Sequence, residues 1–146
     1  MIRDFALRDQ EPFRALVLAG MEERWGDAYD PGFNTDLDDV SVSYLAGGAD
    51  VVVAEVDRQV LATGILRPEE GCRGRIVRMS VDRVHRRQGL ARQVVEELLA
   101  RARRRGFRQV VVMTDTPWES AASLYRSCGF IEVGRDDTDT HFALEL

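Results

Sequence analysis

Apolar residues recur along the chain with two different spacings, and the switches between them mark the elements. Ile2 to Leu7 reads as a short strand. Behind Asp9, which stands where a helix cap belongs, Phe13, Leu16, Val17 and Met21 fall at helical spacing. The segment from Trp25 to Asn34 contains Gly26, Pro31 and Gly32 and is expected to be a loop. Thr35-Asp36-Leu37-Asp38 has the composition of a helix start, with Val40, Tyr44 and Leu45 as the apolar face and Gly47-Gly48 as the stop.

A run of strands follows. Asp50 to Val56 and Gln59 to Leu66 are joined by Asp57-Arg58, the length of a tight hairpin turn. A loop over Arg67 to Gly74 leads into a strand from Arg75 to Val81. The period then changes from two to 3.6. Val94, Val95, Leu98, Leu99 and Ala102 form one stripe of a helix that runs from Gly89 to about Arg105 and stops at Gly106. Gln109 to Met113 is nearly all valine, as befits a strand buried on both faces. Strand, helix and strand in this order predict a parallel pair with a right-handed crossover. A further helix is expected from Thr116 as cap, Pro117 at its first position and Glu119 closing a capping box, ending at Gly129. Phe130–Val133 and Phe142–Leu146 close the chain as an antiparallel pair. The fold class is therefore α/β in the mixed α+β sense: six to seven strands, largely antiparallel around a central parallel βαβ pair, with about four flanking helices.

With 146 residues, 45% of them apolar, the chain suffices for one domain with a real core, and residues 1–146 are read as a single domain. No apolar run approaches the ~20 residues of a membrane span, and Met1-Ile2-Arg3-Asp4-Phe5 lacks the apolar core of a secretory signal. A cytoplasmic protein without membrane contact is the expectation. The two cysteines, Cys72 and Cys128, and the two histidines, His85 and His141, are not at metal-ligand spacing, so neither a metal site nor a disulfide framework is expected.

Charge changes the picture more. The net charge is −5, yet twelve arginines against Asp82, Glu96 and Glu97 give the stretch from Arg73 to Arg108 an excess of nine positive charges. There is no lysine in the chain, which excludes a lysine Schiff base. A basic middle in an acidic chain points to a polyanionic ligand.

That ligand has an evident seat. Arg75 to Val81 runs into the basic turn Asp82-Arg83-Val84-His85-Arg86-Arg87-Gln88, and Gly89-Leu90-Ala91-Arg92 opens the long helix. At a helix start the first backbone N–H groups lack internal partners and the macrodipole is positive. Gly89 permits close backbone approach, Ala91 leaves the first turn uncrowded, and Arg86, Arg87 and Arg92 surround the spot with charge. The arrangement suits a pyrophosphate. It is not a P-loop, because no Gly-Lys-Ser/Thr follows, nor a dinucleotide fingerprint, because the three-glycine pattern is missing.

Met79-Ser80-Val81, Arg86-x-x-Gly89-x-Ala91, the long helix, the valine strand and Ala121-x-x-Leu124-Tyr125-x-x-x-Gly129-Phe130 stand in the order of the GNAT superfamily of acyl-CoA-dependent N-acyltransferases. The chain resembles that superfamily over essentially its whole length. The resemblance implies acetyl-CoA as co-substrate, with no metal. It implies a backbone at Met79, Ser80 and Val81 that takes the pantetheine arm as an added strand. Arg86, Arg87, Gln88, Gly89, Leu90, Ala91 and Arg92 form the pyrophosphate turn. Tyr125 is the general acid that protonates the departing thiolate. It further implies a homodimer. Two positions depart from the family pattern: Trp118 stands where many members have an asparagine, and Arg75 where some place a glutamate base.

The acceptor is expected to be a primary amine on a small molecule, an amino acid or polyamine-like compound, attacking the thioester directly in a ternary complex. Glu22, Glu23, Trp25, Tyr29, Asp36 and Asp38 supply carboxylates and aromatics suited to an ammonium, and Arg73, Arg75 and Arg78 suit a carboxylate. The alternative is a non-catalytic acyl-CoA-binding sensor of the same fold. Nucleic-acid binding through Arg101, Arg103, Arg104, Arg105 and Arg108 is disfavoured, since these cations sit at a helix C-terminus without an interleaved aromatic platform. Cys128 as nucleophile is disfavoured as well, having no histidine near it in sequence.

Overall fold

A computed structural model describes residues 1–26 and 31–146. Seven strands form one sheet: β1 (Ile2–Asp4), β2 (Asp50–Val56), β3 (Gln59–Glu69), β4 (Arg73–Val81), β5 (Gln109–Asp115), β6 (Ile131–Arg135) and β7 (Asp139–Glu145). Their order is β1-β2-β3-β4-β5-β7-β6, and every neighbouring pair is antiparallel except β4–β5. Helix α1 (Gln10–Trp25) and the single-turn α2 (Val40–Ser43) pack on one face; α3 (Leu90–Arg104) and α4 (Glu119–Ser127) pack on the other. The expected mixed sheet with its parallel βαβ unit is therefore present.

Each face carries its own core. Phe5, Phe13, Val17, Leu37, Val40, Val51, Val53 and Ile65 are buried under α1 and α2. Val52, Ala54, Leu66, Ile76, Val110, Val112 and Phe142 are buried under α3 and α4. The strict alternation of Val51 to Ala54 between the two clusters explains why β2 carries four apolar residues in a row: both faces of that stretch are covered. The predicted stripe of α3 is buried in full, with Leu90 joining it. Close approach of α3 to the sheet depends on Gly64, where an added Cβ would stand 2.5 Å from Val94 Cγ1 and 2.8 Å from Met79 Sδ.

Several local expectations give way to tertiary contacts. Asp9 occupies the cap position of α1 but makes no cap bond. Its carboxylate instead takes two hydrogen bonds from Arg3 and one from the Ala6 N–H. Thr35–Asp38 is a 3₁₀ turn, and Asp39 caps α2 by accepting from Val42 N–H. The expected loop at Arg67–Gly74 is largely strand, since β3 runs on to Glu69 and pairs with Arg73 of β4. The Thr116 capping box does not form; α4 starts at Glu119 with Trp118 as cap. The Thr116 hydroxyl donates to the Asp136 carbonyl and lies 2.9 Å from the Thr140 hydroxyl, tying the end of β5 to β7. The Asp57-Arg58 turn is as expected: both residues have positive φ, and Val56 pairs directly with Gln59.

The site is positioned by one break in the sheet. β4 and β5 pair from Arg73–Gln109 only as far as Ile76–Val112, although both strands continue. On its other side β4 carries a bulge, since Thr63 pairs with Ser80 and Ile65 with Val77, leaving Arg78 and Met79 opposite Gly64. Arg78 takes φ +55°, and the Thr63 hydroxyl donates to its carbonyl at 2.8 Å. The bulge bends β4 away from β5, and a gap opens between two strands that remain anchored on their outer sides.

Candidate active site

The gap widens into a cleft of about 550 Å³. Residues 76–81 of β4, 112–115 of β5, the start of α3, the inner face of α4 and Gly20, Met21 and Arg24 of α1 line it. Nine of the ten expected co-substrate residues, Met79, Ser80, Val81, Arg86, Arg87, Gly89, Leu90, Ala91 and Arg92, line this one cleft; Gln88 is exposed and lies off it. Tyr125 lines it too.

Backbone groups are available on both walls. Leu146 N–H donates to the Arg108 carbonyl and Thr116 N–H to that of Thr138, so the even-numbered residues of β5 bond to β7. The backbone of Met113 and Asp115 is consequently turned toward β4, and beyond Ile76 that strand no longer pairs with it. At the cleft's basic end Gly89 caps α3 with φ +82° and offers no side chain to the helix. The N–H groups of Leu90, Ala91 and Arg92 therefore lack the intrahelical partners that later residues have. Arg87, in the left-handed region at φ +62°, has no ion-pair partner among the described residues. Arg86 is held bidentately by Glu23 of α1 at 2.5–2.6 Å, and Arg92 links Glu96 to Ser127 at the end of α4. The charge cluster expected around the turn is thus present, with Arg86 fixed rather than free.

Tyr125 is 4% exposed, its ring edge-on to Phe130 with centroids 5.5 Å apart. Its hydroxyl makes no hydrogen bond among the described residues. Burial pushes that phenol well above its usual range, with the Arg24 guanidinium pulling slightly the other way. The group stays protonated at any working pH. Burial likewise raises the Cys128 thiol, the direction opposite to what a nucleophilic thiolate needs.

Most carboxylates expected around the acceptor are engaged elsewhere. Glu23 holds Arg86, Asp38 meets Arg14 at 3.3 Å, and Asp36 holds Arg78 while accepting from the Tyr44 hydroxyl. Arg73 and Arg75 both bind Glu69. Trp25 is 44% exposed at the end of α1, and Tyr29 lies outside the described residues. Asp115 is the one carboxylate that lines the cleft among the described residues. Its partner is Arg24 at 3.6 Å, and the Arg24 guanidinium also lies 4.9 Å over the Trp118 ring. No motif in the sequence singles out Arg24, Thr114 or Asp115. The available signal was position, because ligands of open α/β sheets gather at the carboxyl ends of strands.

A parallel pair that opens over a glycine-capped helix start, inside an otherwise antiparallel sheet, defines a GNAT-type acyltransferase fold. The family model for the acetyltransferase (GNAT) domain matches residues 47–132. N-acetyltransferase 8 of Rattus norvegicus is 34% identical over 128 residues, covering 84% of this chain and 57% of that protein. An acetyltransferase of the GNAT family from Staphylococcus aureus Mu50 superposes with TM-score 0.90 at 16% identity, over 99% of this chain and 98% of that one. The PaiA N-acetyltransferase of Thermoplasma acidophilum, determined in complex with coenzyme A, gives TM-score 0.85 at 12% identity over 100% and 98%. The chain belongs to the GNAT acetyltransferase family. It spans about half the length of the curated relatives it matches.

Proposed function

We propose that the protein is an acyl-CoA-dependent N-acetyltransferase that moves the acetyl group of acetyl-CoA onto the primary amine of a small molecule. The observation that carries this reading is the joining of a strand gap, a helix start without a capping side chain and a buried unpartnered phenol in one cleft. Acetyl-CoA supplies the activated thioester; everything else falls to the chain. Backbone of β4 and β5 beyond Ile76 and Val112 pairs with the amide-bearing arm as an added strand would. The N–H groups of Leu90 to Arg92, with Arg87, meet the pyrophosphate.

On the α1 side, Asp115 meets the acceptor ammonium and takes its proton, directly or through water. The amine nitrogen attacks the thioester carbonyl, the C–S bond breaks and sulfur leaves as a thiolate, and the nitrogen gives up its second proton to solvent as the neutral amide forms. Tyr125 supplies the hydrogen bond that this sulfur requires. A phenol held above its ordinary value of about 10 is a weaker acid than a thiol of about 8.5. The hydroxyl therefore stabilises the thiolate chiefly as a donor, and solvent completes the protonation.

The cleft's charges favour one acceptor class. Arg24, Arg78, Arg86, Arg87 and Arg92 line it beside the single carboxylate Asp115. Since Arg78, Arg86 and Arg92 are held by Asp36, Glu23 and Glu96 and Arg87 is given to the pyrophosphate, the acceptor meets the Arg24–Asp115 pair, in which an amino acid finds both signs and a polyamine only one partner.

Thiol release from acetyl-CoA across a panel of amino acids, polyamines and simple amines tests the reading. Turnover with α-amino acids and little with polyamines is expected. Tyr125→Phe should lower single-turnover acetyl transfer ten- to a thousandfold while CoA affinity stays within about twofold. CoA binding without turnover on any amine would instead favour the sensor of the same fold.

A further inference from the structure

Thr114 carries a hydroxyl that the fold does not use. The residue is 8% exposed, and its Oγ1 is buried with no hydrogen-bond partner among the described residues. A buried unpaired hydroxyl costs free energy that its apolar isostere avoids. Valine is that isostere, and β5 uses it at Val110, Val111 and Val112, with only Met113 between them and Thr114. The natural partner across the strand pair, Thr140, is already bonded to the Thr116 hydroxyl. Thr114 lies two residues beyond Val112, the last residue of β5 paired with β4. It therefore sits on the wall of the cleft where the strands have separated, beside Tyr125, Ala121 and Leu124 of α4.

We propose that the Thr114 hydroxyl is a binding contact for an amide of the pantetheine arm and so positions the thioester in the cleft. The inference rests on the co-substrate reading given above. An amide offers both a donor and an acceptor, and a threonine hydroxyl can complement either. The unmet hydrogen bond of the free protein then becomes a gain on binding, and Thr114 acts through position rather than by chemistry on the reacting atoms.

The experiment compares wild type, Thr114→Val and Thr114→Ser by calorimetry with CoA and, separately, with ADP, which has the pyrophosphate but no pantetheine arm. Melting of the free proteins is measured alongside. For Thr114→Val the expected result is an unchanged or raised melting temperature, three- to tenfold weaker CoA binding and unchanged ADP binding. Thr114→Ser, which keeps the hydroxyl, should bind CoA nearly as wild type. Equal CoA affinity in wild type and Thr114→Val would overturn the proposal, as would an equal loss for CoA and ADP, which marks a disturbed cleft. A lowered melting temperature of the free Thr114→Val protein would show that the hydroxyl already has a partner, and would also overturn it. A wild-type protein that bound neither CoA nor ADP would remove the proposed function, and this contact with it.

Discussion

Arg78 holds a left-handed backbone in mid-strand, a conformation that costs an L-residue roughly 1–2 kcal/mol. It persists because the surroundings over-determine it. Thr63 holds its carbonyl, and Asp36 grips its guanidinium with two bonds of 2.7 and 3.0 Å. Burial works against the charge on Asp36, but hydrogen bonds from Arg78 and Tyr44 outweigh it and hold the carboxyl below the ordinary range. A depressed carboxylate stabilises the fold fully above its unfolded value of about 4, and loses that contribution as pH falls through its folded value. Asp36→Asn should therefore cost about 1–3 kcal/mol at neutral pH by leaving Arg78 without its anion. The acid limb of its stability profile should be shallower than that of wild type, and urea denaturation between pH 3 and 7 would measure both. Equal acid limbs would assign the low-pH loss to the other carboxylates held below their ordinary range, such as Asp9 against Arg3 and Glu69 against Arg75. None of this pairing was legible in the sequence, where Asp36 and Arg78 are separated by 42 positions and each looked available for substrate.

Elements show a sharper division. The stripe of α3 was readable because helical spacing and burial are the same fact seen twice. Cap bonds were not, as Asp9 and Thr116 show, because a capping side chain can find a better partner on a neighbouring strand. Gly89 does cap α3, as the glycine before the periodic stripe implies. Its neighbourhood is open, with only Gln93 Nε2 at 3.9 Å from an added Cβ, so the glycine is required by φ +82° and not by space. Gly89→Ala should lose about 1 kcal/mol of stability. It should also weaken CoA binding, because the first N–H groups of α3 shift with the cap. Calorimetry that found stability reduced but affinity intact would take this turn out of the phosphate site.

At the scale of the molecule, the cleft joins parts that are far apart in sequence: α1, the β4 bulge, the start of α3, the end of β5 and α4. A ligand spanning them stabilises only the folded arrangement. CoA at a hundredfold excess over its Kd should add about 2.7 kcal/mol, a rise of roughly 5–10 °C in melting temperature for a chain of this size. Adenosine, lacking phosphates, should produce a far smaller shift in the same scanning-fluorimetry experiment. Equal shifts would mean that the basic turn does not recognise phosphate. No helix among the described residues is long and apolar enough to cross a membrane.

What the chain by itself determined follows from local periodicity and local chemistry. The order of strands and helices, the crossover unit and the basic turn before a glycine-capped helix are all properties of short windows. So is the placement of Tyr125 on the last helix, from which the family resemblance was already readable. The tertiary structure alone decided how charge is distributed. It turned Glu23, Asp36 and Glu69 onto arginines, left Arg87 unpaired among the described residues, and put Asp115 and Thr114 on the cleft wall. The physical reason is that an ion pair or an unmet hydrogen bond depends on distances across the sheet. Register, bulge and splay set those distances only once the strands have paired.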